Sequence, residues 1–380
     1  MRIHSLHLEH FRSYDACTIP LSEPGIHIFI GENGSGKTNI LEALSLLSTG
    51  QSFLSADAED IIRWDRDYCR VKASVQADSG EEALMEAFFQ TKPRAQKAFF
   101  RRDVRVPLAR FVGVLPSVAF LPSDLDLFTG SPSGRRSFLD AYISQLHPEY
   151  TRLRIEYERV LKQRNALLRS IADSLVPESQ LDHWDRVLTH AALPIVDWRM
   201  KHVDSLNQSL MSMLLFLGEA WSHVEMIIQR ASQHTQEVSS GAFVESLKRA
   251  RKRDILLQNT SVGPHRDDWH ILADGRDIAS FASRGQQRTV LLSMLLITTD
   301  LFRTQRGERP LILLDDVFSE LDDAHQRHLL SSIGDCQVFL TSTHVPAWVP
   351  DTATLWEARG GKVLSRTSAA STHGVLAVAP

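Results

Sequence analysis

Gly31-Glu32-Asn33-Gly34-Ser35-Gly36-Lys37-Thr38 fits the phosphate-binding pattern G-x-x-x-x-G-K-[ST] at every position. Glycines let successive backbone N–H groups turn toward phosphate oxygens, and the following helix adds the partial positive charge of its N-terminus. In this pattern Lys37 reaches the β- and γ-phosphates and the Thr38 hydroxyl ligates Mg2+. The stretch therefore reads as a site for a nucleoside triphosphate, ATP with Mg2+. A second set of candidates closes the apolar run Leu311–Leu314, where Asp315 and Asp316 stand side by side. Asp315 suits a carboxylate that holds Mg2+. Asp316 suits a group that orients or deprotonates water, because hydrolysis needs a polarised nucleophile in line with the γ-phosphate. In isolation such a pair is a solvated turn; alongside a phosphate loop the catalytic reading is preferred. The third set, Ser283, Gly285 and Gln286, lies at a helix start upstream of that strand. Such a start binds anions, and by itself it is also an ordinary helix cap.

These groups need elements to hold them. Ile26–Ile30 is a short apolar run that reads as a buried strand, and Asn39–Leu47 has apolar positions at helical spacing. Tyr68–Gln76, Ala83–Gln90 and Gln96–Arg102 read as strands in a β-rich first section. From Ser133 to about Leu217 the pattern is helical, with a kink or break expected at Pro194. Val224–Ile228 reads as a strand, and Asp274-Gly275 as the turn of a hairpin between Trp269-His-Ile-Leu and Asp277-Ile-Ala-Ser. A helix is expected from Ser283 to about Phe302, strands at Leu311–Leu314 and Gln337–Leu340, and a helix from about Asp322. The expected fold class is α/β: an ATP-binding lobe built from residues 1–125 and 295–380, interrupted by a mostly helical lobe over 126–294. Residues from about 366 to 380 are small, polar and aperiodic, as in a disordered tail.

Composition narrows the classes. The chain has 380 residues and a net charge of −4, which excludes a generally basic nucleic-acid coat protein but not a local basic patch. Cys17, Cys69 and Cys336 show no C-x-x-C spacing, so neither a disulfide framework nor a zinc site is expected. The N-terminus is too polar for a secretion signal, and the apolar run Val290–Ile297 is too short for a membrane span. A cytoplasmic location without membrane association is the expectation. Lys248–Arg253 and Arg101–Arg105 are basic clusters able to meet DNA phosphates, and charge runs equally serve as solvated faces.

The order of these motifs resembles ABC-type ATPases. There the segment at Ser283 is the signature that contacts a partner subunit's ATP, Ser319–Asp322 is the D-loop, and His344 sits at the switch-loop position, where a surface histidine is the bland alternative. Further residues narrow the resemblance. Glu9-His-Phe-Arg-Ser-Tyr14, Leu121–Asp140 with its Gly-Arg-Arg-Ser-Phe-Leu-Asp ending, Gly263-Pro-His-Arg-Asp-Asp268 and Leu311–Asp322 are similar, in order, to the RecF family, SMC-related ATPases of bacterial recombination. Leu121 stands where that family usually has Ser, and Asp316 where the wider ABC class has Glu. The resemblance implies an ABC-type P-loop ATPase head with a helical second lobe and a weak ATPase used as a switch. It also implies an ATP-dependent homodimer and binding to single-stranded and gapped or duplex DNA. RecO and RecR are the implied partners, with roles in RecA loading and SOS induction. An ABC transporter-type ATPase subunit shares the motif order and is the alternative, although far more chain separates Lys37 from Ser283 than such subunits insert.

Overall fold

The structure, a computed structural model, describes residues 1–55, 57–230, 239–317, 326, 329–330, 332–345, 350 and 352–366. The chain opens with strands β1 (Arg2–Phe11), β2 (Tyr14–Pro20) and β3 (Ile26–Ile30), then helices α1 (Lys37–Thr49) and α2 (Ala58–Ile61). Strands β4 (Tyr68–Gln76), β5 (Glu82–Gln90), β6 (Gln96–Arg101) and β7 (Val104–Val106) precede the single turn α3 (Leu108–Phe111) and strand β8 (Ser117–Phe120). Helices α4 (Asp126–Thr129), α5 (Pro132–Leu146), α6 (Pro148–Ala172) and α7 (Leu181–Phe216) lead to β9 (Val224–Gln229) and α8 (Ser240–Leu257). The hairpin β10 (Asp268–Ala273) and β11 (Arg276–Asp277) is followed by α9 (Ile278–Phe281) and α10 (Arg284–Leu301). Strands β12 (Leu311–Asp315), β13 (Val338–Ser342), β14 (Thr354–Arg359) and β15 (Lys362–Arg366) close the described chain.

One sheet has the order β15-β14-β3-β13-β12-β8, parallel throughout except for β15. Parallel strands covered on both faces need unbroken apolar runs, and every residue of β12 and β13 is buried. A second sheet, β2-β1-β4-β5-β6-β7, is antiparallel, and β4 alternates buried and half-buried residues along its whole length. Helix α1 lies between the two sheets. Leu41, Leu44 and Leu47 share one apolar core with Leu6 and Val71 of the antiparallel sheet and with Phe29 and Phe339 of the parallel one. The opposite face of the parallel sheet, with Ile28, Val118, Leu314 and Leu340, shares a core with α5, α7 and α10. The loop before α1 is thus gripped from two sides.

Two expectations need correction. Helix α7 runs without a break through Pro194, because buried Leu188, Ala191, Ala192, Ile195 and Val196 on either side of it bind the helix into the core. That packing outweighs the roughly 3 kcal/mol a mid-helix proline costs. The hairpin at Asp274-Gly275 forms, but its second strand ends at Asp277, whose carboxylate caps the N–H of Ala279 at 2.9 Å and starts α9. Strand β8, at the sheet edge, has four residues and no readable alternation. The expected helix from about Asp322, the Ser319–Asp322 segment and the tail beyond Arg366 lie outside the described residues, while Arg366 itself ends β15.

Candidate functional site

Strand β3 ends where Gly31 begins the loop, and α1 starts at Lys37. Gly34 and Gly36 have φ of 80° and 99°, in the left-handed region that favours glycine. A Cβ on Gly36 would lie 2.6 Å from the Ser13 hydroxyl, and one on Gly31 would lie 2.5 Å from the Ala358 carbonyl oxygen. No side chain caps α1; the Asn39 N–H turns back to the Gly36 carbonyl at 3.1 Å, and the N–H groups ahead of it open toward the loop. Lys37 Nζ donates to the carbonyls of Gly31 at 2.7 Å and Glu32 at 2.9 Å, spanning the loop. Burial pushes the Lys37 ammonium below its ordinary pKa, and the carboxylates of Asp316 and Asp315 oppose that shift. Glu32, Asn33 and Gly34 are exposed at the loop tip, and the Ser35 hydroxyl is buried without a partner.

Asp315 ends β12 between β13 and β8. Thr38 Oγ1 donates to its carboxylate at 2.9 and 3.0 Å, so the hydroxyl and the acid sit as two oxygen ligands of one cation would. Thr341, paired with Asp315 across β13, donates a third hydroxyl bond at 2.6 Å. The same Thr341 Oγ1 accepts from the N–H of Asp316 at 2.9 Å, whose φ of 49° turns the chain out of the sheet. Sequence reasoning missed Thr341; only the pairing of β12 with β13 reveals it.

The segment before β2 forms the loop's other wall. Tyr14 donates its hydroxyl to the Gly36 carbonyl at 3.0 Å, and Asn39 donates to Ser13 Oγ at 3.1 Å. Arg12 grips the fully buried Glu42 of α1 through two bonds at 2.6 and 2.9 Å, and Ser52 donates to the same carboxylate. The residues fit a triphosphate with its divalent cation: glycines leave room, no side chain caps the helix start, the Ser35 hydroxyl lacks a partner, and Thr38 and Asp315 offer hard oxygens.

The family described as RecF/RecN/SMC N terminal domain matches residues 2–349. The DNA replication and repair protein RecF of Lysinibacillus sphaericus (strain C3-41) is 33% identical over 353 residues, covering 91% of this chain and 94% of that protein. Its counterpart in Heliobacterium modesticaldum (strain ATCC 51547 / Ice1) is 34% identical, covering 92% and 95%. This chain belongs to the RecF family. A solved recombination mediator protein RecF with ATP superposes with a TM-score of 0.89 at 27% identity, covering 96% of this chain and 98% of that one. An SMC head bound to the C-winged helix domain of ScpA shares the fold, with a TM-score of 0.54 at 15% identity. The fold is therefore the ABC-type ATPase head of RecF and SMC proteins, and a transporter ATPase subunit is not favoured. No helix among the described residues is long and apolar enough to cross a membrane.

Other RecF-like motifs hold the fold together. Arg135 pairs with Asp268 through two bonds of 2.6 Å, Arg136 donates to the Asp267 carbonyl, and Arg199 joins Asp140 to the Pro264 carbonyl. Ser283 caps α10, bonding reciprocally with Gln286, while Ser283 and Gly285 are exposed. Among the described residues no hydrogen bond or ion pair joins Ser283, Gly285 or Gln286 to Gly31–Thr38. The chain thus brings the loop, Asp315 and Asp316 together and leaves the Ser283 helix start facing outward. His344 is exposed, bonded to Thr343 and Ser342 beside it. Of the basic clusters, Arg101 and Arg102 meet Glu81, Lys248 meets Glu245, and Arg251 is locked to Asp182 and Asp185. Arg249, Lys252 and Arg253 are exposed.

Proposed function

We propose that this protein is an ATP-switched dimer that binds DNA in recombinational repair and replication, hydrolysing ATP slowly. The observation that carries this is the junction of Thr38, Asp315 and Thr341 beside Lys37 and the phosphate loop. Thr38 and Asp315 would hold Mg2+, which neutralises charge on the β- and γ-phosphates. Lys37 would exchange its loop carbonyls for phosphate oxygens, and Asp316, turned outward at the strand tip, would orient the attacking water. The reading divides the chain into an ATP-binding lobe of 1–125 with 295–380 and a helical lobe of 126–294. It includes DNA at gaps, RecO and RecR as partners, help in loading RecA, SOS induction, and a cytoplasmic setting.

The outward-facing Ser283 and Gly285, with the half-buried Gln286 bonded to Ser283, motivate the dimer. They form a capped helix start with no phosphate loop of their own chain bonded to it, so a second copy would supply the nucleotide. Ser283→Arg protein is expected to bind ATP through its own loop yet fail to dimerise and hydrolyse poorly. Mixing it with Lys37→Met protein should regain one working site, where the intact loop meets the intact helix start. Light scattering and phosphate release on the mixture test this. Normal ATP-dependent dimerisation of Ser283→Arg, or a mixture that recovers nothing, would overturn the shared site.

A further inference from the structure

Helix α6 turns one stripe inward, where Tyr150, Tyr157, Val160, Arg164 and Leu168 are buried. Arg152, Arg159, Lys162 and Arg169 lie on the opposite side, and all four are exposed. At 3.6 residues per turn these positions fall within about a third of the helix circumference. At 1.5 Å per residue they form a line about 25 Å long. The ion pairs of α6 are made by Arg154, with Asp140 and Glu158, and by Arg164, with Asp185 and Asp254. Among the described residues none of the four outer cations has an ion-pair partner; of the two acids between them in sequence, Glu158 pairs with Arg154 and Glu156 with none of the four.

This contrasts with the clusters that stand out in the sequence. Arg101, Arg102, Lys248 and Arg251 are each engaged by a carboxylate. What remains exposed on α8 is one turn, Arg249 to Arg253, rather than a line. In a chain of net charge −4 a long row of unneutralised cations on a rigid rod is a local feature. Its chemical complement is a stiff row of anions. Duplex DNA carries one phosphate charge per about 1.7 Å of axis, so about 25 Å of it offers many oxygens to four cations. Arginine's fixed fork suits phosphate, and helix α6 is already ordered, so little further ordering is needed on binding.

We propose that the outer face of α6, through Arg152, Arg159, Lys162 and Arg169, contacts the backbone of duplex DNA. This rests on the DNA-binding reading above. The interaction is with phosphate and is indifferent to base sequence. The test uses full-length protein with ATP and Mg2+, and a labelled duplex titrated over a series of salt concentrations. The variant Arg152→Gln/Arg159→Gln/Lys162→Gln should weaken binding equally on unrelated sequences. Its log–log salt slope should be shallower by about 0.9 for each phosphate no longer neutralised. Arg159→Gln alone should flatten the slope by about 0.9, which keeps the test open if the triple variant folds poorly. ATP hydrolysis without DNA and the thermal midpoint should match the unaltered protein. A wild-type slope in the triple variant, or a weakening seen only with Arg249→Gln/Lys252→Gln/Arg253→Gln, overturns the α6 surface and leaves DNA binding standing. If unaltered protein binds no DNA in any nucleotide state, the DNA-binding reading falls and the surface with it.

Discussion

Thr341 shows how much one hydroxyl can organise. It donates to Asp315 and accepts from the backbone of Asp316, so the carboxylate facing Thr38 and the turn that follows share one anchor. Thr341→Val keeps the shape and removes both bonds, leaving the Asp316 N–H without its acceptor. Without its hydroxyl bond the Asp315 carboxylate is held less firmly toward Thr38, and a bond to a charged group is worth about 1.5 kcal/mol, so nucleotide binding should need roughly ten times more Mg2+. Thr341→Ser should restore the normal requirement. Fluorescent-nucleotide binding titrated with Mg2+ measures this without turnover, and an unchanged requirement in Thr341→Val would remove Thr341 from the site. The loop Gly31–Thr38 was readable because all its groups are contiguous. Thr341 was not, because its partners are fixed by strand pairing; Arg12 stood only within the Glu9–Tyr14 resemblance, and its grip on Glu42, set by a turn packed on α1, leaves no spacing in the sequence.

Among the elements, α6, α7 and α8 are joined by charge as well as by apolar packing. Arg164, fully buried, reaches Asp185 of α7 at 2.9 Å and Asp254 of α8 at 2.8 Å. Asp185 also receives Arg251. Arg164→Leu would leave the buried Asp254 without its cation and Asp185 with Arg251 alone, and breaking a buried pair in this way costs about 3–5 kcal/mol. Urea unfolding should report a destabilisation of that order. Arg251→Leu should destabilise less, since Asp185 keeps Arg164; equal effects would contradict the hierarchy. The strands β4 and β5 were legible because their faces alternate, and β12 because a doubly covered strand must be apolar throughout. Helix α7 through Pro194 was not legible, since tertiary packing outweighs a local penalty that sequence displays alone. Strand β8 was too short to carry a period, although it edges the sheet that holds the site.

Across the whole molecule, three histidines in separate regions are kept neutral. Burial lowers His27, His202 and His265 from 6.5 to about 4. His27 donates from Nε2 to the Glu23 carbonyl and accepts at Nδ1 from Trp356, roles only one neutral tautomer fills. In the unfolded chain these rings take up protons below about pH 6.5, whereas in the native state they do so only near pH 4. Their contribution is therefore intact above pH 6.5 and is lost as pH falls toward 4, by up to about 3 kcal/mol per ring. The thermal midpoint should begin to drop between pH 6.5 and 5, before exposed carboxylates titrate. A flat profile over that interval would contradict it.

The parallel sheet has a consequence for how the protein is made. Strand β3, which feeds the phosphate loop, has both its neighbours, β13 and β14, near the far end of the chain. Ile3 and Gln337, which bond each other beside that sheet, are 334 residues apart. During synthesis the loop emerges early but stays without its flanking strands until β13 and β14 have also been made. The hairpins of β4 to β7 can close on their own meanwhile. The frame of the nucleotide site is thus completed late, and a chain stopped short of β14 lacks a neighbour of β3 even though every residue of the loop has been translated.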